Sequence, residues 1–259
     1  MAFVVSCNTA TQEAKVNGQD CPPVVSTYAC GNNAVVPTET VQQWRAELDT
    51  ILNLQTEYYK GRGPGNPMPS SVYAIGTNRI QSLIQDSIQH IRVYFALEEP
   101  QNNELRPFTL PNLVLVPVNS NTCADITNQN VYYIRPAGSP PNAYVDSMTY
   151  QEGIEKASNW FGYAQGSKGS LNNFIKRVEE AVYYYTMEAS TLKGFMDEGA
   201  EYISFTFVVA NRKDLNTNAT VRRLDFLLQA QDENQVALNE GSEEYDFALP
   251  CPQNCSGVY

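Results

Sequence analysis

Ile91-Arg92-Val93-Tyr94-Phe95-Ala96-Leu97 decides the reading of this chain. Ile91, Val93, Phe95 and Leu97 fall on one side of an extended backbone, and Arg92, Tyr94 and Ala96 on the other. Side chains alternate across a strand with period two, so this pattern predicts a strand with one fully apolar face. Leu113-Val114-Leu115-Val116-Pro117-Val118 predicts a second, more buried strand, with Pro117 marking its edge or end because proline cannot donate to a ladder. The polar run from Glu98 to Pro111 between them reads as an exposed connection. Further on, Tyr202 to Ala210 is rich in β-formers, Leu224, Phe226, Leu228 and Ala230 alternate again, and Asn211 to Thr220 turns between them. Four strands of a mainly antiparallel sheet are expected: Ile91–Leu97, Leu113–Val118, Tyr202–Ala210 and Arg223–Ala230.

The flanks carry helical spacing. Thr38 is a plausible N-cap for a helix whose Val41, Trp44, Leu48, Ile51 and Leu52 share one face. It runs out at Gly61-Arg62-Gly63-Pro64-Gly65-Asn66-Pro67. These glycines make no phosphate loop, since no Gly-Lys-Ser/Thr follows. Ser71–Ile75 reads as a short strand, and Thr77 can cap a helix carrying Ile80, Leu83, Ile84 and Ile88. Val131–Arg135 reads as another strand, Glu152–Trp160 as a short helix, and Ser170 as the cap of a long helix with Leu171, Phe174, Ile175, Val178, Val182 and Tyr185 inward.

Both halves thus read helix, strand, polar loop, strand, with Ile91-Arg92-Val93-Tyr94-Phe95 answering Ile203-Ser204-Phe205-Thr206-Phe207. The expectation is an α+β fold: amphipathic helices on one face of a mainly antiparallel sheet, built from two helix–hairpin units. Residues 1–36 form an irregular cysteine-bearing arm, 37–250 the body, and 251–259 a cysteine-bearing tail. The Pro/Gly-rich stretch Pro136–Asn142 divides the body into halves 37–135 and 143–250.

The segment Ile80 through Val118, with the Trp44 helix upstream and Cys251-Pro252-Gln253-Asn254-Cys255 at the end, resembles a set of uncharacterised proteins of Bacteroidetes bacteria. The similarity covers roughly 40 residues closely and departs at the Glu98–Pro111 loop and the N-terminal arm. It implies no activity and transfers no functional residue.

Composition narrows the function. The chain has 259 residues, 42% hydrophobic and 17% charged, with 28 Asp plus Glu against 17 Lys plus Arg and a net charge of −11. So acidic a surface disfavours nucleic acid and anionic membranes. The single histidine, His90, has no second histidine for a His-based metal cluster and no nucleophile signature beside it. Acidic pairs at Glu98-Glu99, Glu179-Glu180, Asp197-Glu198 and Glu243-Glu244 read as solvated surface, because neighbours on a strand face opposite ways. The N-terminus lacks the basic and long apolar regions of a secretory signal, and no stretch is long enough to insert in a membrane, which makes a cytoplasmic site the default with non-classical export as the other route.

Six cysteines, Cys7, Cys21, Cys30, Cys123, Cys251 and Cys255, allow disulfides, free buried thiols, a metal site or redox chemistry. Metal spacing is incomplete, and a redox Cys-x-x-Cys has two intervening residues where Cys251 and Cys255 have three. The expectation is a disulfide at Cys251 and Cys255, to each other or to the arm, with no metal and no cofactor. Tyrosines are abundant, 16 against 10 Phe, and they cluster. Tyr58, Tyr59, Tyr132, Tyr133, Tyr183 and Tyr184 are candidate interface residues, since Tyr offers area and a hydrogen bond together. The functional expectation is a non-enzymatic structural or interaction protein, a homo-oligomer assembled through Tyr/Asn-rich surfaces. The alternatives are a small-ligand or carbohydrate-binding module and a hydrolase using carboxylates or a cysteine.

Overall fold

The computed structural model describes residues 35–59, 72–85, 88–98, 110–119, 124–135, 145–165, 182–213, 219–238, 244–245 and 249–251. Eleven strands and four helices occur among them. The strands are β1 (Val35–Val36), β2 (Val72–Gly76), β3 (Ile88–Ala96), β4 (Asn112–Asn119), β5 (Val131–Ile134), β6 (Val145–Met148), β7 (Tyr184–Glu188), β8 (Tyr202–Lys213), β9 (Thr220–Gln231), β10 (Glu244–Tyr245) and β11 (Leu249–Cys251). The helices are α1 (Thr38–Tyr59), α2 (Thr77–Leu83), α3 (Tyr150–Gln165) and α4 (Ala189–Asp197). This is an α+β fold with antiparallel pairing throughout, as the alternating runs require.

The strands build two sheets, ordered β1-β10-β9-β8-β2 and β11-β7-β3-β4-β5-β6. The expectation of one merged sheet is therefore corrected. The reason lies in both faces of the strands being apolar. Ile91, Val93 and Phe95 join Phe205, Phe207, Phe226 and Leu228 in the central core, whereas Tyr94, Ala96, Val114 and Val116 pack against Ile154 and Ala157 of α3. On the other side Val41 and Trp44 of α1 cover Val208, Ala210 and Leu227. A sheet buried on two faces needs two covers, and the result is four layers: α1, sheet, sheet, α3.

Several boundaries move. Ile88 starts β3 instead of ending a helix, because α2 stops at Leu83 and a turn, Ile88 N–H to Gln85 O at 2.8 Å, redirects the chain. Leu97 lies just past β3. Tyr185, expected on the inner face of a long helix, sits in β7, in register with Val93. Of that expected helix, 170–181 is outside the described residues, as are 1–34 of the arm, the Pro136–Asn142 boundary and 252–259 of the tail. Helix α3 begins two residues before Glu152 and continues through Gly162. Its start is a capping box: the Glu152 N–H donates to Thr149 Oγ1 at 3.3 Å and the Thr149 N–H donates to Glu152 Oε2 at 2.8 Å.

The two helix–hairpin units are equivalent and interlocked. Val72 and Tyr184 open corresponding strands 112 positions apart, and the same offset relates Ile91 to Ile203 and Phe95 to Phe207. Pro117 and Ala230, the partners of Ile91 and Ile203, are 113 apart. Even the isolated bridges agree, Val118 with Asp125 in one unit and Gln231 with Ala237 in the other. Neither unit completes its own sheet. Strand β2 of the first pairs with β8 of the second, and β7 of the second pairs with β3 of the first. Likewise β1 pairs with β10 and β6 with β5. Phe95 and Phe207, equivalent positions, meet edge to face at 5.2 Å where the units cross.

Candidate functional site

A buried polar network lies beneath α3, on the outer face of the six-stranded sheet. Arg92 is on β3, directed away from the central core by the alternation, and is only 8% exposed. A buried guanidinium must find a counter-charge. Asp125, held beside β4 by its bridge to Val118, supplies it at 2.6 Å. The other carboxylate oxygen accepts from Tyr94 at 2.6 Å and from Tyr150, the first residue of α3, at 3.1 Å. The Arg92 guanidinium lies 5.0 Å from the Tyr184 ring centre, and Tyr184 packs on Tyr94 at 5.0 Å. Residues from three segments, Arg92 and Tyr94 of β3, Tyr150 of α3 and Tyr184 of β7, thus converge on one carboxylate or its cation.

The electrostatics follow from burial. Desolvation, then the Asp125 charge, raise the Tyr94 phenol far above its ordinary range. The same two causes push Tyr150 up to about 12. Burial alone would lower the Arg92 guanidinium, but Asp125 and the phenols outweigh it and the net shift is upward. The guanidinium is therefore held in its charged form. Asp125 already takes three donors, an arrangement suited to holding parts together.

A second cluster stands at the far end of β3. Lys156 of α3 pairs with Glu98 at 2.7 Å and lies 5.1 Å from the Tyr133 ring centre, while Asn112 donates to the Tyr133 hydroxyl. The Lys156 hydrogen bond holds the Glu98 carboxyl below its usual range. Glu98, Met148, Glu152, Glu155, Lys156 and Asn159 line a shallow, open pocket there.

The sequence-expected residues are distributed differently. Tyr133 and Tyr183, expected at an interface, are 1% and 5% exposed. Tyr133 is covered because α3 lies over its side of β5, and Tyr183 because it packs on Phe161 at 4.6 Å. Tyr132 and Tyr184 are half-buried. Tyr132 meets Ser82 at 2.8 Å between hydroxyls. The backbone of Tyr58 and Tyr59 ends α1; their side chains are outside the described residues, as are Cys7, Cys21, Cys30, Cys123 and Cys255. Cys251 lies in β11, its backbone in register with Tyr184. His90 pairs across β3 and β7 with Glu188, and burial lowers its pKa while Glu188 opposes that shift. Glu98 is in an ion pair, and Asp197 and Glu198 are exposed at the end of α4. No group of three or more His, Cys, Asp or Glu able to hold a metal ion occurs among the described residues.

Sequence reasoning passed over Asp125 altogether. The signal available was the arginine itself, set between apolar strand residues on a chain predicted to be covered by helices. The equivalent positions in the second unit sharpen the point. Where the first unit's sheet face has Arg92, Tyr94 and Asp125, the second has Ser204, Thr206 and Ala237.

No family model matches the chain, and no solved structure matches it. Over 143 residues, 54% of the chain, it is 26% identical to the mouse (Mus musculus) extracellular matrix organizing protein FRAS1. The match spans 4% of that protein's length. No helix among the described residues is long and apolar enough to cross a membrane.

Proposed function

We propose that this is a non-enzymatic structural or interaction protein that works by associating with further copies of itself. The observation that carries the reading is the interlocked architecture. Each unit leaves its sheet incomplete and recognises the missing strands by main-chain pairing with a unit of the same shape. The polar chemistry supports it, since Asp125 is taken up by three protein donors. Its likeness to part of a protein named for organizing extracellular matrix points the same way.

The surface chemistry sets the conditions. Among the described residues Val236 is the one large hydrophobic side chain that is exposed, so their surface offers no extended apolar patch. Half-buried tyrosines such as Tyr132 and Tyr184, together with backbone pairing, supply attraction against a net charge of −11. Repulsion between acidic copies is screened beyond ~8 Å at physiological salt. Sedimentation velocity across a salt series therefore tests the reading: association should strengthen from low to moderate salt. A single monomeric species at every concentration and ionic strength overturns it. The same charge argues against a nucleic-acid partner.

A further inference from the structure

We draw no further inference here: the strongest candidate, the shallow acidic pocket beside α3 formed by Glu98, Glu152 and Glu155 around Lys156, carries nothing because Glu98 is taken up by Lys156 and Glu152 by the capping box at Thr149, and nothing among the described residues points to a ligand.

Discussion

Tyr73 and Tyr185 occupy equivalent places in the two units, and replacing each by phenylalanine should move stability in opposite directions. Both rings are fully buried, Tyr73 against Phe207 at 5.1 Å and Tyr185 against Phe95 at 5.8 Å. Their hydroxyls differ. Tyr185 donates to the Leu224 carbonyl of the opposite sheet at 2.8 Å, whereas the Tyr73 hydroxyl is buried without a partner. A buried hydroxyl lacking a hydrogen bond costs about 1–3 kcal/mol, and a satisfied one contributes roughly 1 kcal/mol net. Tyr73→Phe removes the first cost and leaves a void of one oxygen, so a gain of about 1 kcal/mol is expected. Tyr185→Phe loses the bond and should cost about 1–2 kcal/mol. Urea unfolding monitored by circular dichroism gives both midpoints on one scale, and an unchanged slope confirms that stability alone has moved. Two variants shifting the midpoint in the same direction by similar amounts would refute the reasoning.

Asp125→Ala leaves the buried Arg92 guanidinium without its carboxylate, and should cost about 3–5 kcal/mol in the same assay. Arg92→Met combined with Asp125→Leu should recover most of that loss, since an apolar pair of similar volume avoids the desolvation of both ions. Gly153 and Gly162 of α3 form a contrast: a Cβ at Gly153 would stand 2.7 Å from Val131 and 3.0 Å from Val114, while at Gly162 nothing lies within 4 Å. Gly162→Ala should therefore stabilise by about 1 kcal/mol through helix propensity. Gly153→Ala should show no such gain or a net loss, because overpacking costs ~1–3 kcal/mol; equal melting temperatures for the two would reject the close approach of α3. Alkaline pH is the fourth test. Tyr73, Tyr94, Tyr133 and Tyr150 hold their protons above the ordinary value of 10.0 in the fold, chiefly through burial. The unfolded chain releases them first, so the stability they contribute is complete below pH ~10 and is lost as pH rises through the folded values, about 12 for Tyr150. Denaturant midpoints that stay level from pH 9 to 11 would contradict this.

The strand pattern was legible because period two survives wherever one face meets a tightly packed core. Ile91, Val93 and Phe95 announced β3, and Ile203, Phe205 and Phe207 announced β8. The number of sheets was not legible, since it depends on what covers Tyr94, Val114 and Val208, and no local pattern names the covering element. Ile88 was misplaced because Ile80, Leu83, Ile84 and Ile88 keep helical spacing across a turn that only tertiary pairing with Asn119 selects. The clustered tyrosines misled for a related reason. Consecutive aromatics in a strand imply one outward member only if one face is wet, and Tyr133 lies under α3. The Arg92–Asp125 site joins positions 33 apart through a bridge at the end of β4, and no local pattern encodes such a pairing.

The interlocking gives an internal comparison that separates what the fold needs from what one unit adds. Backbone register is shared through every corresponding strand, so the architecture cannot depend on Arg92 and Asp125, whose counterparts are Ser204 and Ala237. Both loops still dock in the same way, Ile126 N–H to Pro117 O at 2.9 Å and Leu238 N–H to Ala230 O at 3.1 Å. The ion pair is thus an addition to a connection that closes without it, and it carries a desolvation cost that an apolar pair would avoid. Its return is positional. Through Tyr150 it fixes the first turn of α3, and through Tyr184 the first residue of β7, both from the second unit, onto β3 and the Asp125 loop of the first. The network is therefore centred in the first unit, on Arg92, Tyr94 and Asp125, and reaches the second through Tyr150 and Tyr184. The α1-side junction carries charges of its own: Arg223 and Asp225, cross-strand partners of Ala210 and Val208, are buried on β9, and Arg222 pairs with Glu47 of α1 at 3.1 Å.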